Sequence, residues 1–289
     1  MDSKVPPYFD VLIERFRQQM VSRFVHLGHW DHPSPTGLDE PPQAGDIERA
    51  VERLNEVLVD MAGLQKAQRV LDVGCGFGAT LQHINERFRH MWLAGVNIDP
   101  RQLAICRQLE PLNDNELQWV GADACHLPFA ACSFDRIFCI EAMFHFTSRR
   151  TFFREAARLL RPGGVLVASD IVLTESAKQV EVPRFCIEAP LRDGYGPWPD
   201  FWGEDADHRQ LGTAAGLRCT CLVDATPHTL PSHRFTVPRD SDVLRDPGDP
   251  LMRAAMMLKW LHGKGHIQYV YMRFDKPHSD DARCGDACA

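Results

Sequence analysis

The feature that most constrains this chain is a strand-like run at residues 70–73 that leads directly into a glycine-rich turn. Its apolar residues are typical of a strand buried on both faces of a parallel sheet. Glycine accepts positive φ and lets a ligand approach the backbone, and the helix expected from about residue 79 offers unpaired N–H groups at its start. The pattern predicts a binding site for a nucleotide-type ligand. The glycines are Gly74, Gly76 and Gly78.

The glycine spacing and the acid before it limit which ligand this turn can hold. Gly-x-Gly-x-Gly is neither the dinucleotide pattern Gly-x-Gly-x-x-Gly nor a phosphate loop, which needs a Lys followed by Ser or Thr. Asp72 lies two residues before Gly74. A carboxylate there repels a pyrophosphate and suits a ligand that carries an ammonium and a sulfonium. A glycine turn that merely connects a strand to a helix is the alternative.

Strand-like and helix-like segments alternate after the turn. This alternation predicts an α/β fold with a doubly wound, Rossmann-like parallel sheet, in which the loops after the strands share one rim. Residues 267–274 alternate in polarity and predict a last, antiparallel strand. The remaining predicted strands are residues 92–97, 117–120, 134–140, 164–170 and 216–224, and the predicted helices between them begin at about residues 79, 100, 152 and 205.

The chain outside this alternation predicts a lid and two caps. Residues 1–45 hold an amphipathic stripe, predicted to be one helix over residues 8–25, and then a Pro- and Gly-rich lid. The main domain is predicted at residues 46–274. Its two cap insertions are predicted at residues 171–205 and 225–262, and a flexible tail at residues 275–289.

Composition narrows the class of protein. Hydrophobic residues make up 44% and charged residues 25%, so neither a disordered chain nor a membrane protein is indicated. No apolar run reaches the roughly 18 residues of a spanning helix and no signal peptide is evident, so a cytoplasmic location is expected. The formal charge of −7 disfavours nucleic acid as a partner. The oligomeric state stays open between a monomer and a homodimer.

Clustered histidines and cysteines raise the question of a metal. Histidines in an aromatic lid are more common than histidine metal ligands, strand alternation explains the first cysteine pair, and no Cys-x-x-Cys motif exists. We therefore predict no metal site. The groups concerned are His26, His29 and His32, Cys219 with Cys221, and Cys284 with Cys288.

Four successive motifs carry a resemblance to a known family. They are residues 70–78 (Val-Leu-Asp-Val-Gly-Cys-Gly-Phe-Gly), the polar end of the second strand, residues 123–129 (Asp-Ala-Cys-His-Leu-Pro-Phe) and residues 158–164 (Arg-Leu-Leu-Arg-Pro-Gly-Gly). In this order they resemble class I S-adenosylmethionine-dependent methyltransferases of the group that modifies small metabolites such as sugars, sterols and natural products. The resemblance implies a seven-stranded sheet with its last strand antiparallel and S-adenosylmethionine as cofactor.

The resemblance also implies which residues hold the cofactor. Where the family often has an acid for the ribose, this chain has Asn97, which can act with Gln102; Asp99 is the alternative and is otherwise a helix cap. Trp30 is expected in the lid over the cofactor. The full predicted set is Trp30, Asp72, Gly74, Cys75, Gly76, Asn97, Ile98, Gln102, Asp123, Ala124 and Glu141.

The same resemblance suggests the catalytic groups. His145 is the predicted base or orienting group, Glu141 assists, and Asp170 after the fifth strand matches a second position that shares the task in sugar methyltransferases. Phe144, Trp198 and His228 are predicted to contact the acceptor.

The predicted acceptor is a small, largely apolar secondary metabolite or isoprenoid, and O, N and C stay open as the methylated atom. One alternative is a prenyl-diphosphate C-methyltransferase, and another is a non-catalytic cofactor-binding homologue. The diphosphate would require some of Arg23, Arg149, Arg184, Arg192 and Arg234.

Overall fold

The computed structural model describes residues 5–6, 8–32, 43, 45–199, 201–202, 207–236 and 248–278. Its strands are β1 (Arg69–Val73), β2 (Trp92–Asn97), β3 (Glu116–Gly121), β4 (Phe134–Ile140), β5 (Leu160–Leu173), β6 (Arg218–Asp224) and β7 (Ile267–Asp275). Its helices are α1 (Tyr8–Arg17), α2 (Asp46–Ala62), α3 (Ala79–Arg87), α4 (Pro100–Cys106), α5 (Arg149–Leu159), α6 (Arg184–Tyr195), α7 (His208–Ala214), α8 (Thr226–Thr229), α9 (His233–Thr236) and α10 (Pro250–Gly263).

The strands form one seven-stranded sheet in the order β3-β2-β1-β4-β5-β7-β6. The first five strands in this order are parallel, and β7 is antiparallel to both β5 and β6. The prediction of a doubly wound α/β sheet with an antiparallel last strand is confirmed. The order reverses between β1 and β4, which is where open α/β sheets bind their ligands.

Apolar residues on both faces of the sheet explain why the central strands are buried. On one face Val70, Phe138 and Val167 pack with Leu54 and Leu58 of α2. On the other face α5 and α7 cover the sheet, in a cluster that contains Leu71, Ile137, Leu166, Phe152, Phe153 and Leu211. Because side chains alternate along a strand, neighbouring residues of β5 belong to opposite faces.

The N-terminal helix is shorter than predicted. It ends at Arg17, and Gln19 has a φ of 58°, a left-handed conformation that stops the helix. The chain then runs without helix to residue 32, and the backbone N–H of Leu27 donates to the Glu141 carboxylate over 2.9 Å. The apolar stripe continues beyond Arg17, but the contact between Leu27 and Glu141 holds this segment in a non-helical conformation.

Both predicted cap segments contain helices. The first includes α6, which continues through Pro190. Gly194 of α6 has no room for a side chain against Pro250 and Ala254 of α10, so the two segments pack closely. Strand β5 also extends three residues beyond the predicted end at Asp170.

The C-terminal strand continues to Asp275, the first residue of the predicted flexible tail. The Lys276 ammonium donates to the carbonyls of Ala157 and Leu160, each over 2.7 Å. Order therefore extends past the predicted start of the tail, and residues 279–289 lie outside the described part of the chain. Within the described residues no helix combines the length and apolar character needed to span a membrane.

Candidate active site

Two cavities meet at the rim where β1, β2 and β4 end. The first, of about 250 Å³, lies over the glycine turn and is called the donor cavity below. The second, of about 360 Å³, lies between α1, residues 20–27 and α10 and is called the acceptor cavity. Six residues line both: Tyr8, Leu12, Val25, His26, Glu141 and His145.

The glycine turn forms the floor of the donor cavity. Gly74 has a φ of 79°, and a Cβ added there would lie 2.5 Å from the Cβ of Ala142. Only glycine satisfies both constraints. The N–H groups of Gly74 and Cys75 donate to the Val96 carbonyl over 2.9 and 3.0 Å, which fixes the turn against β2. Gly74, Cys75 and Gly76, which the sequence analysis predicts for the cofactor site, all line this cavity.

Asp72 contributes to the donor cavity a carboxylate that has no hydrogen-bond donor among the described residues. Its side chain is 2% exposed, and none of the described residues donates a hydrogen bond to it. Burial raises the pKa of Asp72 to about 7. A cationic ligand group would offset the cost of ionising it.

The end of β2 presents two linked amides rather than an acid. The Asn97 amide nitrogen donates to the Gln102 side-chain oxygen over 2.6 Å, and the Asn97 oxygen accepts from the Asp99 N–H over 3.2 Å. Asn97, Ile98 and Gln102 line the donor cavity, whereas Asp99 does not. Asp99 caps α4 by accepting from the Arg101 N–H over 2.8 Å, which identifies it as the helix cap of the two predicted roles.

The loop after β3 closes the far side of the donor cavity. Asp123 and Ala124 both line it. The Asp123 Oδ1 accepts from the Cys125 N–H over 2.9 Å, which holds the side chain in place. A carboxylate beside backbone N–H groups can accept from an amino group and so suits the edge of an adenine.

Glu141 lies at the junction of the two cavities. Its Oε2 accepts from the Tyr269 hydroxyl over 2.7 Å and from the Leu27 N–H over 2.9 Å, and no described donor reaches Oε1. Burial raises the pKa of Glu141 to about 7, although both of these hydrogen bonds oppose the shift. The backbone is strained there, because Glu141 has a φ of 49°. A strained, buried acid that titrates near neutrality is typical of a functional group.

His145 lies beside Glu141 and contacts the N-terminal helix. Its Nε2 lies 3.0 Å from the Tyr8 hydroxyl, and the two rings are stacked with centroids 5.7 Å apart. Burial lowers the pKa of His145 to about 4, against the opposing effects of the Pro197 carbonyl and Asp170. The imidazole is therefore neutral at physiological pH and can orient a hydroxyl group.

The acceptor cavity is lined mainly by apolar and aromatic side chains. Phe144 and Trp198, both predicted to contact the acceptor, line it and pack with ring centroids 4.5 Å apart. The Trp198 indole N–H and His233 Nδ1 are buried and have no hydrogen-bond partner among the described residues. Apolar walls with a few polar groups are typical of small-molecule sites.

Three predicted site residues lie outside both cavities. The Trp30 indole donates to Ser232 over 3.0 Å, and its ring stacks on Phe235, so Trp30 anchors residues 26–32; its contact with the cofactor stays a prediction. His228 stacks on His29 with ring centroids 4.3 Å apart and does not line the acceptor cavity. The third is Asp170.

Asp170, the predicted second catalytic group, lines neither cavity, and its catalytic role stays a prediction. Its side chain points to the α5 and α7 face of the sheet, whereas its neighbour Ile171 lines the acceptor cavity. Its Oδ2 accepts from the Arg149 Nε over 2.7 Å and lies 2.9 Å from the His208 Nε2. Burial would raise the pKa of Asp170, but Arg149 and His208 outweigh it and lower the pKa.

The arginines considered for a diphosphate are dispersed. Arg149 is bound to Asp170, Arg192 lies beside Asp193, and Arg184 lies 4.8 Å above the Trp202 ring. None of the five lines the acceptor cavity. Across the described parts of the chain, no group of three or more His, Cys, Asp or Glu side chains could hold a metal ion.

Sequence reasoning missed several residues of the site. Tyr8, Tyr269 and Leu27 position His145 and Glu141 through contacts between segments more than a hundred residues apart. Tyr8 opens the amphipathic stripe, which predicted a cover over the domain, but no local pattern indicates its partner. Only the fold brings these groups together.

The donor cavity fits the cofactor that the resemblance implies. Asp72 is an unpaired acid for an ammonium, Gly74 leaves room for close approach to the backbone, and Asn97 and Gln102 offer amides for a diol. Bound there, S-adenosylmethionine would supply a methyl group activated by its sulfonium.

Comparison with known proteins agrees with this reading. Residues 71–168 match a methyltransferase domain. Methyltransferase GfsG of Streptomyces halstedii is 36% identical over 242 residues, which cover 81% of this chain and 80% of that protein. The 27-O-demethylrifamycin SV methyltransferase of Amycolatopsis mediterranei is 32% identical over 165 residues, 56% of this chain and 57% of that one.

Among solved structures, a mycolic acid cyclopropane synthase complexed with SAH superposes with a TM-score of 0.73 at 19% identity, covering 94% of this chain and 100% of the other. At this identity the likeness supports the fold alone. The extent of the match to the Streptomyces relative goes further: the chain belongs to the class I S-adenosylmethionine-dependent methyltransferases that act on small molecules, with S-adenosylmethionine as its cofactor.

Proposed function

We propose that this methyltransferase transfers the methyl group to a hydroxyl oxygen of a neutral, largely apolar metabolite of the natural-product type. One observation carries the proposal: the donor cavity opens into an apolar cavity, and Glu141 and His145 line both. A hydroxyl group placed at this junction would lie beside a carboxylate and a neutral imidazole. A relative named for a 27-O-demethylated substrate supports oxygen as the methylated atom.

The proton of the hydroxyl group is proposed to pass to Glu141. With S-adenosylmethionine bound, the acceptor oxygen would form its bond to the methyl carbon as the carbon–sulfur bond breaks, and Oε1 of Glu141, which has no described donor, would accept the O–H proton. A base is most effective when its pKa lies near the working pH, and the pKa of Glu141 is about 7. His145, whose pKa is about 4, is a weaker base, so with Tyr8 it orients the hydroxyl group instead.

The charges of the acceptor cavity disfavour a prenyl diphosphate. Of the described residues that line it, Arg15 is the single Arg or Lys, against the acids Glu48, Glu141 and Asp249. His233 also lines it, and burial lowers its pKa, which keeps the imidazole neutral. A diphosphate needs several cationic groups, whereas an uncharged acceptor needs none.

The test is a mass-shift assay with S-adenosylmethionine over a panel of hydroxylated apolar metabolites and prenyl diphosphates. We expect methylated product from a neutral hydroxylated acceptor. Product from a prenyl diphosphate alone would contradict the proposal, and cofactor binding without any methylated product would favour a non-catalytic homologue.

With a productive acceptor, Glu141→Gln is expected to lower kcat by about 10²–10⁴-fold, because the proton loses its acceptor. In the wild type, kcat should rise with pH through about 7, as the Glu141 carboxyl loses its proton. The variant should lose this dependence. Glu116→Gln, at an exposed position on β3, is the matched control and should keep both the wild-type kcat and its pH dependence. An unchanged pH profile in Glu141→Gln would exclude Glu141 as the base.

A further inference from the structure

The described residues that line the donor cavity include one permanent cation. Of the described residues that line it, Arg23 is the single Arg or Lys, while Asp72, Asp123 and Glu141 supply three carboxyl groups. Arg23 belongs to residues 18–32, outside the matched methyltransferase domain. The permanent positive charge among these lining residues therefore comes from the N-terminal segment.

Arg23 has no acidic partner among the described residues. Its Nη1 donates to the Phe77 carbonyl over 2.9 Å, and its guanidinium lies 5.4 Å from the centroid of the Phe16 ring. By contrast, the surface residues Arg53 and Arg161 each pair with an aspartate. Burial lowers the pKa of Arg23, because the partly buried guanidinium loses some of its hydration. An anion would offset that cost.

The position of Arg23 relative to the glycine turn indicates which anion. Phe77, whose carbonyl Arg23 binds, lies inside the turn, and Val25 would lie 3.3 Å from a Cβ added to Gly76. Residues 23–25 therefore cross the turn that follows β1, the strand that carries Asp72. A guanidinium and an unpaired carboxylate in one cavity match the two charges of an α-amino acid.

We propose that Arg23 binds the α-carboxylate of the methionine portion of S-adenosylmethionine, while Asp72 binds its ammonium. The guanidinium fork has five N–H donors, and the Phe77 carbonyl engages one nitrogen, so the others can meet a carboxylate. Donor binding then ties the N-terminal segment to the sheet through this contact.

The experiment compares two ligands by isothermal titration calorimetry. S-Adenosylhomocysteine (SAH) carries the α-amino acid, whereas 5′-methylthioadenosine lacks it. In Arg23→Gln the affinity for SAH should fall by about 10–100-fold, the size of a lost charge-assisted hydrogen bond, and the affinity for 5′-methylthioadenosine should change by less than about twofold. Arg23→Lys should recover part of the loss.

Arg15→Gln, which removes a cation that lines the acceptor cavity only, is the matched control and should leave both affinities unchanged. An equal loss of affinity for both ligands would mean that Arg23 acts through folding, and unchanged SAH affinity would mean that it makes no contact; either result overturns the proposal. Absence of SAH binding by the wild type would instead contradict the cofactor assignment on which the proposal rests.

Discussion

Two buried carboxylates on the same sheet lie in opposite chemical surroundings. Asp72 on β1 and Asp170 on β5 are 2% and 0% exposed. Asp170 accepts hydrogen bonds from Arg149 and from the N–H of Ile171, and its pKa is lowered. Asp72 receives no hydrogen bond from the described residues, lines the donor cavity, and has a pKa raised to about 7.

The contrast shows that partners, not burial, separate a structural carboxylate from one available to a ligand. Asp170 is satisfied by groups on α5 and α7, so its charge is already neutralised. Asp72 is costly to ionise until a cation arrives. The binding region is therefore the part of the sheet where the fold leaves a charge without a partner.

The largest effect that would test this comparison concerns Asp170. Replacing it by Asn removes the buried carboxylate that pairs with the Arg149 guanidinium and lies against His208, so we expect the free energy of unfolding to fall by about 3–5 kcal/mol. Urea unfolding measures this loss. The affinity of the folded variant for SAH should stay within about twofold, because Asp170 does not line the donor cavity. A stable variant with no methyl transfer would restore Asp170 as a catalytic group.

A smaller effect separates a third acid, Asp99, from the donor site. Asp99→Ala removes the cap of α4 and should lower the free energy of unfolding by about 1 kcal/mol while SAH affinity stays within about twofold. Asp207→Ala, which removes the cap of α7, is the matched control in thermal unfolding. A tenfold or larger loss of SAH affinity confined to Asp99→Ala would identify a ligand contact instead of a cap.

The parts of the molecule that the sequence predicts well are those with a local cause. The β1 strand, its glycine turn and α3 follow from apolar runs and glycine conformation within a dozen residues. The alternation of strands and helices predicts the sheet for the same reason. These features need no knowledge of which distant segments meet.

The remaining features depend on contacts between segments that are distant in sequence. Asp170 lies at the predicted end of a buried strand, as a catalytic acid would, but its partners Arg149 and His208 lie 21 and 38 residues away. Trp30 lies in a segment whose composition is typical of a lid, yet its hydrogen bond to Ser232 joins positions 202 residues apart. Residue type alone cannot distinguish these arrangements. The acceptor cavity, built from the N-terminal segment and both caps, is the least predictable region for this reason.

The central claim is that Asp72 is an unpaired carboxylate that becomes ionised when the donor's ammonium binds. Calorimetric titration with SAH at pH 7, in two buffers of different ionisation enthalpy, measures the protons exchanged. With a pKa of about 7 before binding, Asp72 should release roughly half a proton, and Asp72→Asn should release none and bind SAH more weakly. Equal proton release by the wild type and Asp72→Asn, or no SAH binding by the wild type, would contradict the account.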